Sequence, residues 1–297
     1  MNRLIATDGY HQTMGFLIEP ARALELETHI LYARSGGPLL VADMYNIMRD
    51  LASWRPNAQE VKEAETYWHS TNVPFATAAW NQIVSITKNK TLPLTVRGVA
   101  DGEVVLPGDP IAVIEAPAIM AAVIEPWLIG KMMKALQLST RFTKLAKALN
   151  WEYKRVFEVG LRASNSVDDH NDSIRILKTA GLKMTSSGAA AVENGLLAGG
   201  SMGHRYTQRY SNDFDAFANA LDRILLYKQQ KGIEDKVKLS LLLDTRSTLN
   251  SGLPAAIRLI KHYSEVISND IDLSVRLDSG DLIEQLKCVI RTIREKL

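Results

Sequence analysis

Cysteine is almost absent from this sequence, in which Cys288 stands alone. One thiol cannot form an internal disulfide framework or a cysteine-based zinc site, so the chain fits a reducing compartment. Cys288 itself is expected to behave as a small buried apolar residue. An excess of either charge is also missing, since 35 Lys and Arg nearly cancel 33 Asp and Glu. No basic run interleaved with aromatics is there to neutralise a phosphate backbone, so no nucleic-acid partner is expected. Long apolar runs are lacking too. Asp8 and His11 interrupt the N-terminal stretch MNRLIATDGYHQTMGFLI, and nowhere do about 18 apolar residues follow one another. No membrane partner and a cytoplasmic location are therefore expected, and low-complexity linkers and short-period repeats are absent as well.

What is present is a globular balance, 46% hydrophobic against 23% charged over 297 residues, which suits one or two domains. Residues 40 to 90 carry helical spacing, with Met44, Met48 and Leu51 on one segment and Val61, Ala64 and Trp68 on the next. The RPNAQE stretch between them supplies a turn and an N-cap. From Leu94 the period changes, and LTVRGVADGEVVLPGDPIAVIEAP reads as a small antiparallel β unit with turns at Asp101-Gly102 and PGDP. Residues 119 to 149 then read as one long amphipathic helix or a broken pair, with Pro126 inside.

Beyond that point strand-length apolar segments recur at YKRVFEVGL, LKMTSS, LLAGGS, VKLSLLLD and IDLSVRLD. Helical patterns such as DSIRILKTAG, DFDAFANALDRILLYKQQ and GLPAAIRLIKHY follow several of them. Strands alternating with helices mean a parallel sheet. Each unit places polar residues at the strand's C-terminal end: Arg162, Thr185 with Ser186, Ser201 with His204, Asp244 with Thr245, and Arg276, Asp278 and Ser279. Several such ends converge on one site only if the strands form a ring. The expected fold is therefore α/β, an irregular parallel barrel over residues 131–297 preceded by an α+β domain over residues 1–130. About five βα units can be counted, fewer than a closed barrel needs.

His204 could serve as nucleophile, base or metal ligand, or could simply hydrogen-bond a loop carbonyl. Gly199, Gly200 and Gly203 beside it allow a backbone or a phosphate to approach closely, although no Walker loop follows. A carboxylate at the tip of LLLDT or VRLDSGD can orient an imidazole, hold ribose hydroxyls or Mg²⁺, or cap the next helix. Arg276 matches a phosphate with a two-point fork. The DDHND cluster, residues 168 to 172, is too contiguous for all its side chains to reach one ion. It reads as a solvated loop with Asp172 as a helix cap, and no metal-ligand set is assigned.

Taken in order, TDGYHQTM, VADGEVVLPGDPIAVIEAP, EVGLRA, TSS, GSMGH, LLLDT and VRLDSGDL resemble the nicotinate phosphoribosyltransferases, which are related to nicotinamide phosphoribosyltransferase. The resemblance spans nearly the whole chain. It implies transfer of phosphoribosyl from phosphoribosyl pyrophosphate (PRPP) to nicotinate in NAD biosynthesis, giving nicotinate mononucleotide and pyrophosphate, with Mg²⁺ as cofactor and ATP as co-substrate. It further implies that His204 is phosphorylated by ATP and that Asp244 orients it. Substrate binding would fall to Tyr10, Arg162, Thr185, Ser186, Ser201, Arg276 and Asp278. In this assignment Arg162 and Arg276 hold the pyrophosphate-bearing substrate and Asp278 the ribose hydroxyls. Tyr10 would stack on the pyridine from a neighbouring subunit, which implies a homodimer with shared active sites. Ser186 stands where nicotinamide-using relatives carry an aspartate, which favours nicotinate.

The chain departs from the family pattern at Val159, in place of an aromatic, at Ala163, in place of a second arginine, and at Arg205, Arg246 and Ser247. Further strands with glycine-rich phosphate loops are also expected of the family after RLDSGD. Their want here leaves three expectations: completion by another segment or chain, a fragment, or a non-catalytic homologue that binds nucleotide or pairs with an active subunit. Nicotinamide or another base remains an alternative substrate.

Overall fold

In a computed structural model, residues 2–34, 37–88 and 93–297 are described. Chain contacts divide them into two compact units, Met1–Gly199 and Gly200–Leu297. The boundary read at residue 130 falls inside a continuous helix instead.

In the first unit, α1 (Gly9–Leu17) leads into β1 (Leu26–Tyr32) and the short β2 (Leu39–Leu40). Three helices follow, α2 (Met44–Ser53), α3 (Ala58–Ser70) and α4 (Thr77–Thr87), as the spacing over 40 to 90 predicts. The last two residues of that range lie outside the described residues. The cap read in RPNAQE is a capping box, in which the Asn57 side chain accepts from Glu60 N–H and the Glu60 carboxylate accepts from Asn57 N–H. Next come β3 (Thr95–Gly98), β4 (Val104–Val105) and β5 (Pro110–Pro117). The antiparallel unit is real but wider than the sequence suggests: β5 lies between β3 and β1, while β4 pairs with β2. Strand β1 is recruited from far upstream, a pairing that no local turn announces.

Helix α5 (Ala118–Ala148) is a single helix that contains Pro126. It buries Leu128, Met132, Ala135 and Leu136 at i, i+4, i+7 and i+8 against a core that includes Leu51, Trp80, Ile83 and Ile119. The rest of the unit comprises α6 (Val167–Thr179), β6 (Met184–Thr185), α7 (Gly188–Asn194) and β7 (Leu197–Ala198). Strand β6 runs parallel to β7, and a parallel bridge joins Glu158 to Thr185. Two expectations change here. YKRVFEVGL forms mostly 3₁₀ turns, Tyr153–Arg155 and Gly160–Ala163, and keeps only that bridge. DDHND lies within α6, whose N-cap is Ser166 rather than Asp172. Asp169 pairs with Lys134 at 2.5 Å, and Asp172 pairs with Lys131 at 2.9 Å and Arg175 at 2.8 Å. Helical spacing, not a solvated loop, distributes these acids.

The second unit contains α8 (His204–Thr207), α9 (Asp213–Lys231), β8 (Val237–Leu242), a π-turn Thr248–Gly252, α10 (Leu253–His262), α11 (Ser264–Asp270), β9 (Ile271–Arg276) and α12 (Leu282–Lys296). Its core packs Phe217 and Leu221 of α9 on Leu239 and Leu241 of β8, with Leu259 of α10 and Val289 of α12. Cys288 on α12 is half-buried rather than buried, with its Sγ 3.7 Å from an Arg291 nitrogen. Strands β8 and β9 are parallel, as the βα rhythm predicts. The architecture is thus α/β with parallel strand pairs after an antiparallel α+β region, and the described residues show no closed ring of strands. No helix among them is long and apolar enough to cross a membrane.

Candidate functional site

Register builds the site in the second unit. Strands β8 and β9 pair from Val237↔Ile271 to Leu242↔Arg276, and Leu243 N–H continues the ladder to the Arg276 carbonyl at 3.1 Å. Asp244 and Asp278 each lie two residues past the last paired position, so parallel pairing brings both carboxylates out at the same end. Extended apolar residues carry Asp244 inward, and its side chain is only 4% exposed. Its Oδ2 accepts from the Ser279 hydroxyl at 2.5 Å, whereas Oδ1 is buried and has no hydrogen-bond partner among the described residues.

His204 opens α8 directly after Gly203. Its Nε2 lies 3.7 Å from Asp278 Oδ2 and 4.0 Å from Asp244 Oδ1, and its Nδ1 lies 3.2 Å from the Thr245 hydroxyl. The imidazole is thus bracketed by a hydroxyl at one nitrogen and two carboxylates near the other. With its ring 40% exposed, it stays accessible to a ligand. Arg276 connects the remaining members, donating to Ser201 Oγ at 2.8 Å and to Asp278 Oδ1 at 2.5 Å. Five of the residues singled out in the sequence, Ser201, His204, Asp244, Arg276 and Asp278, therefore assemble in one unit. An imidazole that can accept a group, with carboxylates able to stabilise its cationic form and a guanidinium able to bind phosphate, suits phosphoryl chemistry.

Sequence reasoning placed Thr245 and Ser279 at strand ends without giving them roles, yet each bonds directly to a member of the site. Arg246, a departure from the family pattern, is structural. It pairs with the buried Asp213 on α9 and donates to the Tyr210 carbonyl at 2.5 Å, while the Ser251 hydroxyl donates to Asp213 at 2.6 Å. Nearby, Tyr206 and Tyr210 share Asn219 Oδ1 at 3.0 and 2.7 Å, and burial together with Tyr210 raises the Tyr206 phenol above its ordinary range.

Four expected residues lie in the first unit. Tyr10 on α1 is 60% exposed. Arg162 projects from the Gly160–Ala163 turn and makes no ion pair among the described residues. Val159, just before that turn, is exposed, and so is Ser186 after β6. Thr185 is fully buried, and its hydroxyl is committed to Glu158 Oε2 at 2.6 Å. Sequence reasoning missed Glu158 and His170. His170 is buried on α6 with Nε2 3.6 Å from Glu158 Oε2 and Nδ1 3.3 Å from Ser164 Oγ. A glutamate four residues before Arg162 hinted at the first, and the second is the histidine of DDHND, which a solvated-loop reading passes over. No group of three or more metal-ligating side chains occurs among the described residues.

No family model matches the chain. It is 28% identical over 182 residues to a nicotinate phosphoribosyltransferase of Bacillus subtilis, covering 61% of this chain and 34% of that protein. A Mus musculus nicotinate phosphoribosyltransferase is 24% identical over 330 residues, covering 96% and 59%. This chain thus spans about a third to three fifths of the length of the curated relatives it matches. Among solved structures, human nicotinic acid phosphoribosyltransferase superposes with a TM-score of 0.73 at 21% identity, over 97% of this chain and 64% of that one. A nicotinate-nucleotide pyrophosphorylase from Pyrococcus furiosus gives 0.66 at 15% identity, over 99% and 64%. The resemblance carried by the motifs therefore recurs in comparisons of whole sequences, and the human structure shares the fold.

Proposed function

We propose that this chain carries out phosphoribosyl transfer from PRPP to nicotinate, coupled to ATP through His204. The observation that carries the reading is the bracketed imidazole: His204 between Thr245 and the paired aspartates, with Arg276 in the same cluster. Similarity to curated nicotinate phosphoribosyltransferases supplies the substrate class.

In this reading a His204 ring nitrogen attacks the γ-phosphorus of ATP, the bond to the bridging oxygen breaks, and ADP leaves with that electron pair. Asp244 and Asp278 stabilise the cationic ring, and Arg276 holds phosphate oxygens. In the transfer itself the pyridine nitrogen of nicotinate bonds to C1 of the ribose as pyrophosphate departs, so no external base is required. Arg162 binds the phosphorylated sugar and Tyr10 the pyridine ring. The exposed Ser186 hydroxyl tolerates a substrate carboxylate that an aspartate would repel. Mg²⁺ would neutralise the pyrophosphate. The orphaned Asp244 Oδ1 and the Asp278 carboxylate are the oxygen donors that fit it, in keeping with a cation held by one or two carboxylates plus substrate phosphates. We further propose a homodimer.

The test incubates the protein with nicotinate, PRPP, Mg²⁺ and ATP and follows nicotinate mononucleotide. Phosphohistidine should form on ATP addition, and His204→Ala should abolish it and lose roughly 100-fold or more of the ATP-stimulated rate. Nucleotide binding with no turnover would replace this reading with that of a non-catalytic homologue. Faster turnover of nicotinamide than of nicotinate would reassign the base.

A further inference from the structure

In the first unit one carboxylate joins the two segments that carry Arg162 and Ser186. The Glu158 backbone lies between them in the parallel bridge, with its N–H on the Met184 carbonyl at 3.2 Å and its C=O accepting from Ser186 N–H at 2.8 Å. Its side chain then turns back on both neighbours. Oε1 accepts from the Gly160 N–H, the first residue of the turn holding Arg162, and Oε2 accepts from the Thr185 hydroxyl at 2.6 Å. The same Thr185 oxygen accepts from Ser187 N–H at 3.1 Å, so the chain of bonds reaches both sides of Ser186. Behind it stands His170, only 2% exposed, with Nδ1 3.3 Å from Ser164 Oγ and with Nε2 3.6 Å from Glu158 Oε2 and without a hydrogen-bond partner among the described residues.

In a partly buried cluster of this kind, losing the Glu158 carboxylate would leave the Gly160 N–H and the Thr185 hydroxyl without their partner, so the bonds hold these groups in one geometry. Gly160 is also where such closeness is feasible, since an added Cβ there would come within 2.6 Å of Glu158 Oε1. The two segments it fixes are both short of regular structure. The turn is a four-residue 3₁₀ turn and β6 has two residues, so neither has a long hydrogen-bonded ladder to set its position.

We infer that Glu158, backed by His170, is a positioning residue that sets the turn of Arg162 for phosphoribosyl binding and the loop of Ser186 for the pyridine base. This rests on the function proposed above. Glu158 touches neither substrate in this assignment and acts through the backbone of Gly160 and the hydroxyl of Thr185.

Two measurements test it. The first needs no ligand: in Glu158→Ala the amides of Gly160 and Ser187 should exchange with solvent at least about tenfold faster than in the parent, while Glu158→Gln, which keeps an acceptor for Gly160 N–H, restores most of the protection. Unchanged exchange overturns the inference whatever the protein does. The second is a double-mutant cycle on PRPP binding by calorimetry. Arg162→Ala and Glu158→Ala should each weaken binding by roughly tenfold or more, and the double variant should be no weaker than Arg162→Ala alone, because Glu158 acts through Arg162. Additive losses would make Glu158 a general structural residue and overturn the inference. If exchange responds as expected but the parent does not bind PRPP, the proposed function fails and takes the positioning role with it, leaving the tether as a structural fact alone.

Discussion

The position of Asp244 depends on an atom that Gly252 does not have. A Cβ on Gly252 would lie 2.0 Å from the Leu243 carbonyl oxygen and 2.7 Å from the Leu243 Cα. These are backbone atoms, so no rotamer change can relieve the overlap. The π-turn must retreat, or the end of β8 must move, and Asp244 would move with it. Gly252→Ala should destabilise the unit Gly200–Leu297 by about 3 kcal/mol or more, from the overpacking and strain terms. In a unit of this size that lowers its melting temperature by on the order of 10 °C. Gly200→Ala is the control, since nothing lies within 4 Å of the added carbon. Calorimetry of both variants checks this, and a near-neutral Gly252→Ala would show that the turn is freer than the close approach implies. At this scale much of the site was legible. His204, Asp244, Arg276 and Asp278 stand in short motifs at strand tips, where chemistry can be read from residue type. The Glu158 and His170 pair was not, because it joins residues 12 apart across a turn and a helix whose start was misread.

Among the elements, α6 is anchored electrostatically to the rest of its unit. Lys131 and Lys134 on α5 meet Asp172 and Asp169, and Arg175 reaches back to the buried Asp43 through two bonds of 2.9 Å. Asp43 holds a left-handed backbone, φ 64°, at the cap of α2, and the two hydrogen bonds donated by Arg175 help to keep it there. Hydrogen bonding to Lys134 holds the Asp169 carboxyl below its usual value of 3.8. Burial pushes Asp172 up, but Lys131 and Arg175 together bring it below that value. Carboxylates with lowered folded values stabilise the protein above the unfolded value, near pH 4, and lose that contribution as pH falls through the folded one. Asp172→Asn should therefore cost about 1 kcal/mol at pH 7, and the gap to the parent should shrink steadily below about pH 4. Denaturant melts from pH 7 to pH 3 check it; a gap independent of pH would place the effect of Asp172 in packing rather than charge. Helices with strong periodicity, α2, α3, α9 and α10, were readable in the sequence for the reason that makes them stable: one apolar stripe faces one core. Strands β6 and β7 show the opposite case. Two residues each carry too little pattern to set their bounds, and β1 depends on partners some 80 residues away in the chain.

For the whole molecule, the expectation of an α/β fold with parallel strands held, because alternating strand and helix patterns permit few other arrangements. The division of the chain was harder to read, since α5 crosses residue 130 without any change in composition, and contacts place the boundary at Gly199 and Gly200 instead. Each unit has its own apolar cluster, around Trp80 and Ile119 in the first and around Phe217 and Leu241 in the second. A cavity in one should act within that unit first. Phe217 is fully buried, and Phe217→Ala removes a ring whose loss costs about 3–5 kcal/mol. Hydrogen exchange should then quicken across β8, β9 and α10, whose amides share that core, while β1, β5 and α5 keep the protection of the parent. Equal loss of protection in both sets would mean that the two clusters melt as one cooperative body. The stability of the His204 cluster would then not be a property of Gly200–Leu297 alone. With the loss confined to the second unit, the bracketed imidazole depends for its geometry on Gly200–Leu297 alone, so phosphohistidine formation should decline in step with the stability of that unit.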